Sequence, residues 1–127
     1  EILKLKKIKN IKLPVSAPFH CNLMNNATII MKEKIDKANF KEGTNKLISN
    51  VTAEEIIDKD QLKKLLIDQI ESKVRWRESI IFMINGGINH FIEIGPGKVL
   101  SGLVKRINKD VKISTINIES DIRDLKL

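Results

Sequence analysis

The stretch HFIEIGPGKVLSGLVKRI (90–107), followed after a short gap by VKISTINI (111–118), constrains the fold of this chain more than any other part of it. A strand-like run enters a Gly-Pro-Gly turn, a run with helical spacing follows, and a second strand-like run closes the unit. Two strands joined through a helix lie side by side most readily when parallel, because the helix carries the chain back to the end where it began. Upstream, apolar residues at helical spacing predict helices from about Asn22 to Ala38, from a cap at Asp60 to about Glu71, and from about Arg75 to Asn85, where Gly86 and Gly87 stop the last. LISNV (47–51) reads as a further short strand. The expected class is therefore α/β with a largely parallel sheet.

At the amino end, residues 1–9 read as the end of a helix that stops at Asn10. IKLPV (11–15) then alternates Ile11, Leu13 and Val15 on one face, with Pro14 favouring an edge position because it has no N–H for the ladder. In the helix from Asn22, the residues Leu23, Met24, Ala27, Ile30, Met31, Lys34, Ile35 and Ala38 recur at helical spacing as a one-sided apolar stripe, in which the methionines are expected to fill core space rather than hold a metal.

Charge and composition exclude several classes. The formal net charge is +7, with a lysine-rich opening KLKKIKNIK (4–12). Isoleucine, lysine and asparagine crowd the sequence, and all three are spelled by adenine- and thymine-rich codons, so the basic balance can follow codon drift. The chain has no tyrosine, four phenylalanines and one tryptophan. Nothing aromatic is interleaved with the basic runs as in single-strand nucleic-acid binders. The longest uncharged apolar run, SIIFMI (79–84), is far shorter than the roughly 20 residues of a membrane span. One cysteine, Cys21, cannot form an internal disulfide, which suits a reducing compartment. The chain opens on Glu1 without a recognisable leader, and we expect it to be a piece of a longer protein.

Among chemical motifs, Gly95-Pro96-Gly97 has the layout of a phosphate-binding turn but neither nucleotide fingerprint. Ile92 stands where a P-loop needs glycine, Val99 where it needs Ser or Thr, and Leu100 where the dinucleotide pattern needs glycine. The two histidines, 70 positions apart, and one cysteine have no metal-ligand spacing. Glu93, Asp58 and Asp60 read as isolated or as helix-start acids, and His90 as structural. His20 and Cys21 point to opposite sides of an extended segment, which disfavours a Cys-His pair. His20, where a proline-bracketed strand meets a helix, can be either a packed ring or a proton carrier.

Three stretches in register decide between those alternatives. LPVSAPFHCNLM (13–24), VRWRESIIFM (74–83) and FIEIGPGKVLSGLVKRI (91–107) resemble the C-terminal part of the malonyl-CoA:acyl carrier protein transacylases, over nearly the whole chain. That resemblance implies an α/β-hydrolase-like parallel-sheet domain with an inserted ferredoxin-like subdomain, residues 1–16 ending the insertion and 17–127 returning to the large domain. It places His20 on the catalytic histidine and implies that the backbone carbonyl of Gln69, seven residues before Trp76, orients it; Gln69 read alone is a polar helix-end residue. Phe19 falls where related domains exclude an α-methyl substituent, with core packing as its other reading.

The implied reaction moves a malonyl group from coenzyme A to the phosphopantetheine thiol of acyl carrier protein by a ping-pong Ser-His mechanism. Malonyl-CoA is then a substrate, and no cofactor or metal is expected. Neither nucleic acid nor membrane is an expected partner. The resemblance suits a bacterial-type cytoplasm or a plastid-like organelle. The family's serine elbow is absent from this sequence, and neither Ser16 nor Ser101 stands where it could replace it. By itself the chain is expected to be inactive and prone to self-association. The rival reading is a non-catalytic basic module that binds a phosphorylated or nucleic acid ligand.

Overall fold

A computed structural model describes residues 2–9 and 17–125. The elements are α1 (Ile2–Leu5), a 3-10 turn (Asn22–Met24), α2 (Asn25–Lys37), α3 (Lys59–Asp68), α4 (Trp76–Asn85), β1 (His90–Ile94), α5 (Val99–Ile107), β2 (Lys112–Ile116) and α6 (Glu119–Asp124). β1 and β2 form a parallel pair in the register His90↔Lys112 through Ile94↔Ile116, with α5 as the crossover. The expected α/β class with parallel pairing is thus present as a small sheet. The strand expected at Ile11–Val15 and the boundary placed after residue 16 lie outside the described residues.

The core gathers behind the sheet. Ile80 of α4, 1% exposed, packs with Val104 of α5 and Val111, and Trp76, Met83, Ile84, Phe91, Ile107 and Ile113 surround them. α4 ends as its glycines require. Gly87 adopts φ 92°, its N–H donates to the Ile84 carbonyl, and the Ile88 N–H donates to the Met83 carbonyl, the two bonds of a left-handed helix stop.

Three local expectations need correction, and one further helix is present. LISNV is no strand: it contributes only one antiparallel bridge, Ile48 to Glu55, around a turn in which the Ser49 hydroxyl accepts from the amides of Val51 and Thr52. A bridge needs only one pair in register, and the turn closes before a ladder can grow. The α3 cap is Asp58, whose carboxylate accepts from the Gln61 N–H at 2.8 Å, and Asp60 lies within the first turn. The apolar stripe of α2 is not core. Met24, Ala27 and Ile35 are half-buried, whereas Ile30 and Met31 lie on the exposed side, Met31 45% exposed. α6 was not expected from the sequence; it starts where the Asp121 carboxylate accepts from the amides of Asn117 and Ile118.

α2 packs on α3, and α4 on α5. The apolar side chains of Ile94, Val99, Leu100, Ile118 and Ile122 are exposed around the carboxyl end of the sheet, Ile94 to 78%. No helix of the described residues is long and apolar enough to cross a membrane.

Candidate active site

The turn that carries His20 is built by short-range bonds. Phe19 donates its N–H to the Ala17 carbonyl at 3.0 Å, and the Met24 N–H returns to the Cys21 carbonyl at 3.0 Å. Between them His20 takes φ 60°, the left-handed region in which a non-glycine residue is uncommon and which costs on the order of 1–3 kcal/mol. Such a conformation persists where neighbouring contacts hold it. The contact that holds this one comes from α3.

Gln69 caps the carboxyl end of α3, at φ −66° and ψ −18°, with its N–H donated back to the Leu65 carbonyl at 3.0 Å. A helix end leaves its last carbonyls without partners inside the helix. The Gln69 carbonyl finds one in the His20 ring, whose Nδ1 stands 2.9 Å away. Because a carbonyl oxygen can only accept, Nδ1 must carry the proton. Nε2 of the neutral ring is then a lone-pair acceptor, and the ring is exposed, with no second partner among the described residues. The structure therefore brings together His20 and Gln69, 49 residues apart in the chain.

Phe19, beside His20, is 57% exposed. Cys21 is not paired with His20: its thiol lies 3.2 Å from the Pro18 carbonyl. No described serine is hydrogen-bonded to His20.

The glycine turn after β1 is occupied by the protein itself. Glu93 is not isolated; its two carboxylate oxygens accept from the Leu100 N–H at 3.1 Å and the Ser101 N–H at 2.7 Å, and the Asn117 side chain accepts from the Gly97 N–H at 2.7 Å. A carboxylate already sits where a phosphate would. The nearby Ser101 hydroxyl, though not in full hydrogen-bond geometry, and the Ser101 amide hold the Glu93 carboxyl below the ordinary glutamate range. Gly95 and Gly97 take φ 133° and 99°, so the turn needs glycine for its own backbone. His90 has a partner that the sequence alone did not identify: its Nε2 lies 2.9 Å from the Ser114 hydroxyl on β2.

Among the described residues, no group of three or more His, Cys, Asp or Glu side chains could hold a metal ion. Several lysines are matched locally by acids, as in Lys32–Asp36, Lys37–Glu33 and Lys46–Glu55, which breaks up the basic surface.

No family model matches the chain. Its sequence is 45% identical over 120 residues to the malonyl CoA-acyl carrier protein transacylase of Bacillus subtilis, covering 91% of this chain and 38% of that protein. The crystal structure of an acyl-carrier-protein S-malonyltransferase from Bartonella henselae superposes with a TM-score of 0.88 at 40% identity, over 97% of this chain and 40% of that one. A malonyl transacylase solved in complex with its type II polyketide synthase acyl carrier protein superposes with a TM-score of 0.86 at 29% identity, over 94% and 39%. The chain thus spans about two-fifths of the length of the relatives it matches.

Proposed function

We propose that this chain, a homologue of the malonyl CoA-acyl carrier protein transacylases over nearly its whole length, contributes the histidine side of an active site that moves malonyl groups from coenzyme A to acyl carrier protein. The observation that carries the proposal is the His20–Gln69 contact, which assigns the proton to Nδ1 and leaves Nε2 without a partner among the described residues. A serine hydroxyl is a poor nucleophile until a base takes its proton. In the proposed cycle, Nε2 removes the proton as the serine oxygen bonds to the thioester carbonyl carbon. The carbon–sulfur bond then breaks and the imidazolium returns the proton to the departing coenzyme A thiolate. The carrier-protein thiol repeats these steps in reverse and leaves the serine free.

The main-chain carbonyl of Gln69 does the orienting work that a carboxylate does in a Ser-His-Asp triad: it fixes the tautomer and the ring plane. In this reading the serine belongs to the part of the family's chain that these residues do not match, and Phe19 borders the acyl pocket. The subdomain reading, with an α/β-hydrolase-like sheet and an inserted ferredoxin-like unit, accompanies the same proposal. The exposed apolar side chains around Ile94 are what other strands of such a sheet would cover. Neither a cofactor nor a metal enters the scheme.

The test is His20→Ala in the full-length protein. Malonyl transfer is expected to fall by about 10²–10⁴-fold, the range of general acid-base catalysis, with malonyl-CoA binding changed far less. Transfer near the unsubstituted rate would make His20 a structural residue. The 127-residue chain alone, incubated with malonyl-CoA, should show no malonyl adduct on any serine by mass spectrometry. A stable adduct there would overturn the division of the site.

A further inference from the structure

His20 and Gln69 sit on two separate turns, and one hydrogen bond between turns permits either to pivot about it. A second bond joins the same two turns. The Asn25 side-chain amide donates to the Glu71 carboxylate at 3.2 Å, five residues after His20 on one side and two after Gln69 on the other. We propose that Asn25 and Glu71 form a positioning pair that fixes the angle between the two turns and so holds the His20 ring on the Gln69 carbonyl. This inference rests on reading His20 as the base of the proposed reaction; neither Asn25 nor Glu71 touches the reacting atoms.

Both anchors stand on stiff backbone. From Cys21 to Thr28 the chain is locked by the Met24 N–H on the Cys21 carbonyl, the Asn25 N–H on the Asn22 carbonyl and the Thr28 hydroxyl on the Met24 carbonyl at 3.3 Å. Across from it, the Ile70 N–H donates to the Ile67 carbonyl at 3.2 Å and the Ser72 N–H to the Asp68 carbonyl at 3.0 Å, so residues 69–72 continue the end of α3. Rotation of one turn against the other must therefore break Asn25–Glu71, a bond strengthened because its acceptor is a carboxylate. His20 needs that restraint. Its φ of 60° is a strained state, and relaxation toward ordinary right-handed values would swing the ring away from Gln69. Loss of the pair does not undock the helices. α2 and α3 keep their own packing and a distant tie, the Lys63 ammonium on the Asp36 carbonyl at 3.4 Å.

The experiment reads the imidazole directly in the 15N-labelled full-length protein, where long-range 1H–15N spectra distinguish a ring protonated at Nδ1 from one protonated at Nε2. In the unsubstituted chain His20 should be the Nδ1–H tautomer. Asn25→Ala and Glu71→Ala should each lower the ratio of Nδ1–H to Nε2–H by about threefold to tenfold, the population change that loss of one such hydrogen bond produces. Glu71→Gln, which keeps an acceptor oxygen but not the charge, should recover most of the unsubstituted ratio. His90, whose Nε2 is held by Ser114, is the internal control and should not change. The two alanine variants approach the contact from opposite turns, so either one remains informative if the other fails to fold. An unchanged His20 ratio in a folded alanine variant overturns the proposal. An effect as large in Glu71→Gln as in Glu71→Ala overturns it too, because the carboxylate charge and not the bond would then be responsible. The tautomer needs no acyl transfer to be read, so its result is separate from that of His20→Ala.

Discussion

Replacing Gln69 by alanine should leave the candidate site nearly intact, because the group that meets His20 is the Gln69 carbonyl oxygen and not the side-chain amide. Alanine is at ease at φ −66° and ψ −18°, and its N–H keeps the bond to the Leu65 carbonyl at 3.0 Å. What is lost is the side chain of half-buried Gln69, a residue that borders a small cavity together with Leu47, Ile48 and Leu66. With about 0.8 kcal/mol for each fully buried methylene and only partial burial here, the destabilisation should stay near or below about 1 kcal/mol. For a chain of this size that lowers Tm by about 4 °C at most. Malonyl transfer by the full-length protein should remain within about threefold of the unsubstituted rate, set against a loss of about 10²–10⁴-fold for His20→Ala. The assay follows label transferred from malonyl-CoA to carrier protein, with the tautomer spectrum of His20 measured alongside. A collapse of transfer to the His20→Ala level, or loss of the Nδ1–H signal in a folded Gln69→Ala protein, would show that the side chain orients the ring and would refute the main-chain reasoning.

Phe19→Ser should relax discrimination against methylmalonyl relative to malonyl, since one excluded methyl group is worth about 1–3 kcal/mol; the ratio of the two kcat/KM values measures it, and an unchanged ratio removes Phe19 from the acyl pocket. Ile80→Ala empties the centre of the core and should cost about 2–5 kcal/mol, visible by thermal melting as a fall of about 8–20 °C in Tm. Glu93 is held below its ordinary value of 4.5 by the Ser101 hydroxyl and the amides at the start of α5. The stability this gives is present above the unfolded-state value and is lost as pH falls through the lower folded-state value. Glu93→Gln should therefore flatten the acid limb of a stability-versus-pH curve below about pH 4.5, and an unaltered acid limb would mean that the carboxylate does not hold α5.

Much of the fold was legible because it is local. The β1 and β2 runs, the Gly86-Gly87 stop and the crossover helix follow from hydrophobic period and glycine placement, which act over a few residues. The resemblance singled out His20 and Gln69 because three short stretches keep their order and spacing.

Other features depend on residues far apart in sequence. Whether LISNV becomes a strand depends on a partner in register, and the Ser49 turn closes before one is reached. The α2 stripe reads as core from its period, but a period cannot say what lies opposite, and half of it faces outward. Glu93 on the start of α5, His90 on Ser114 and Asn25 on Glu71 are side-chain meetings set by a turn, a strand register and a helix pair. The sequence by itself thus determined the secondary structure around the sheet and, through the resemblance, the pairing of His20 with the Gln69 carbonyl. Only the tertiary structure decided that this histidine takes a left-handed backbone and that Nδ1, not Nε2, is the nitrogen laid on the Gln69 carbonyl, because a strained turn and a ring orientation have no signature until packing fixes them.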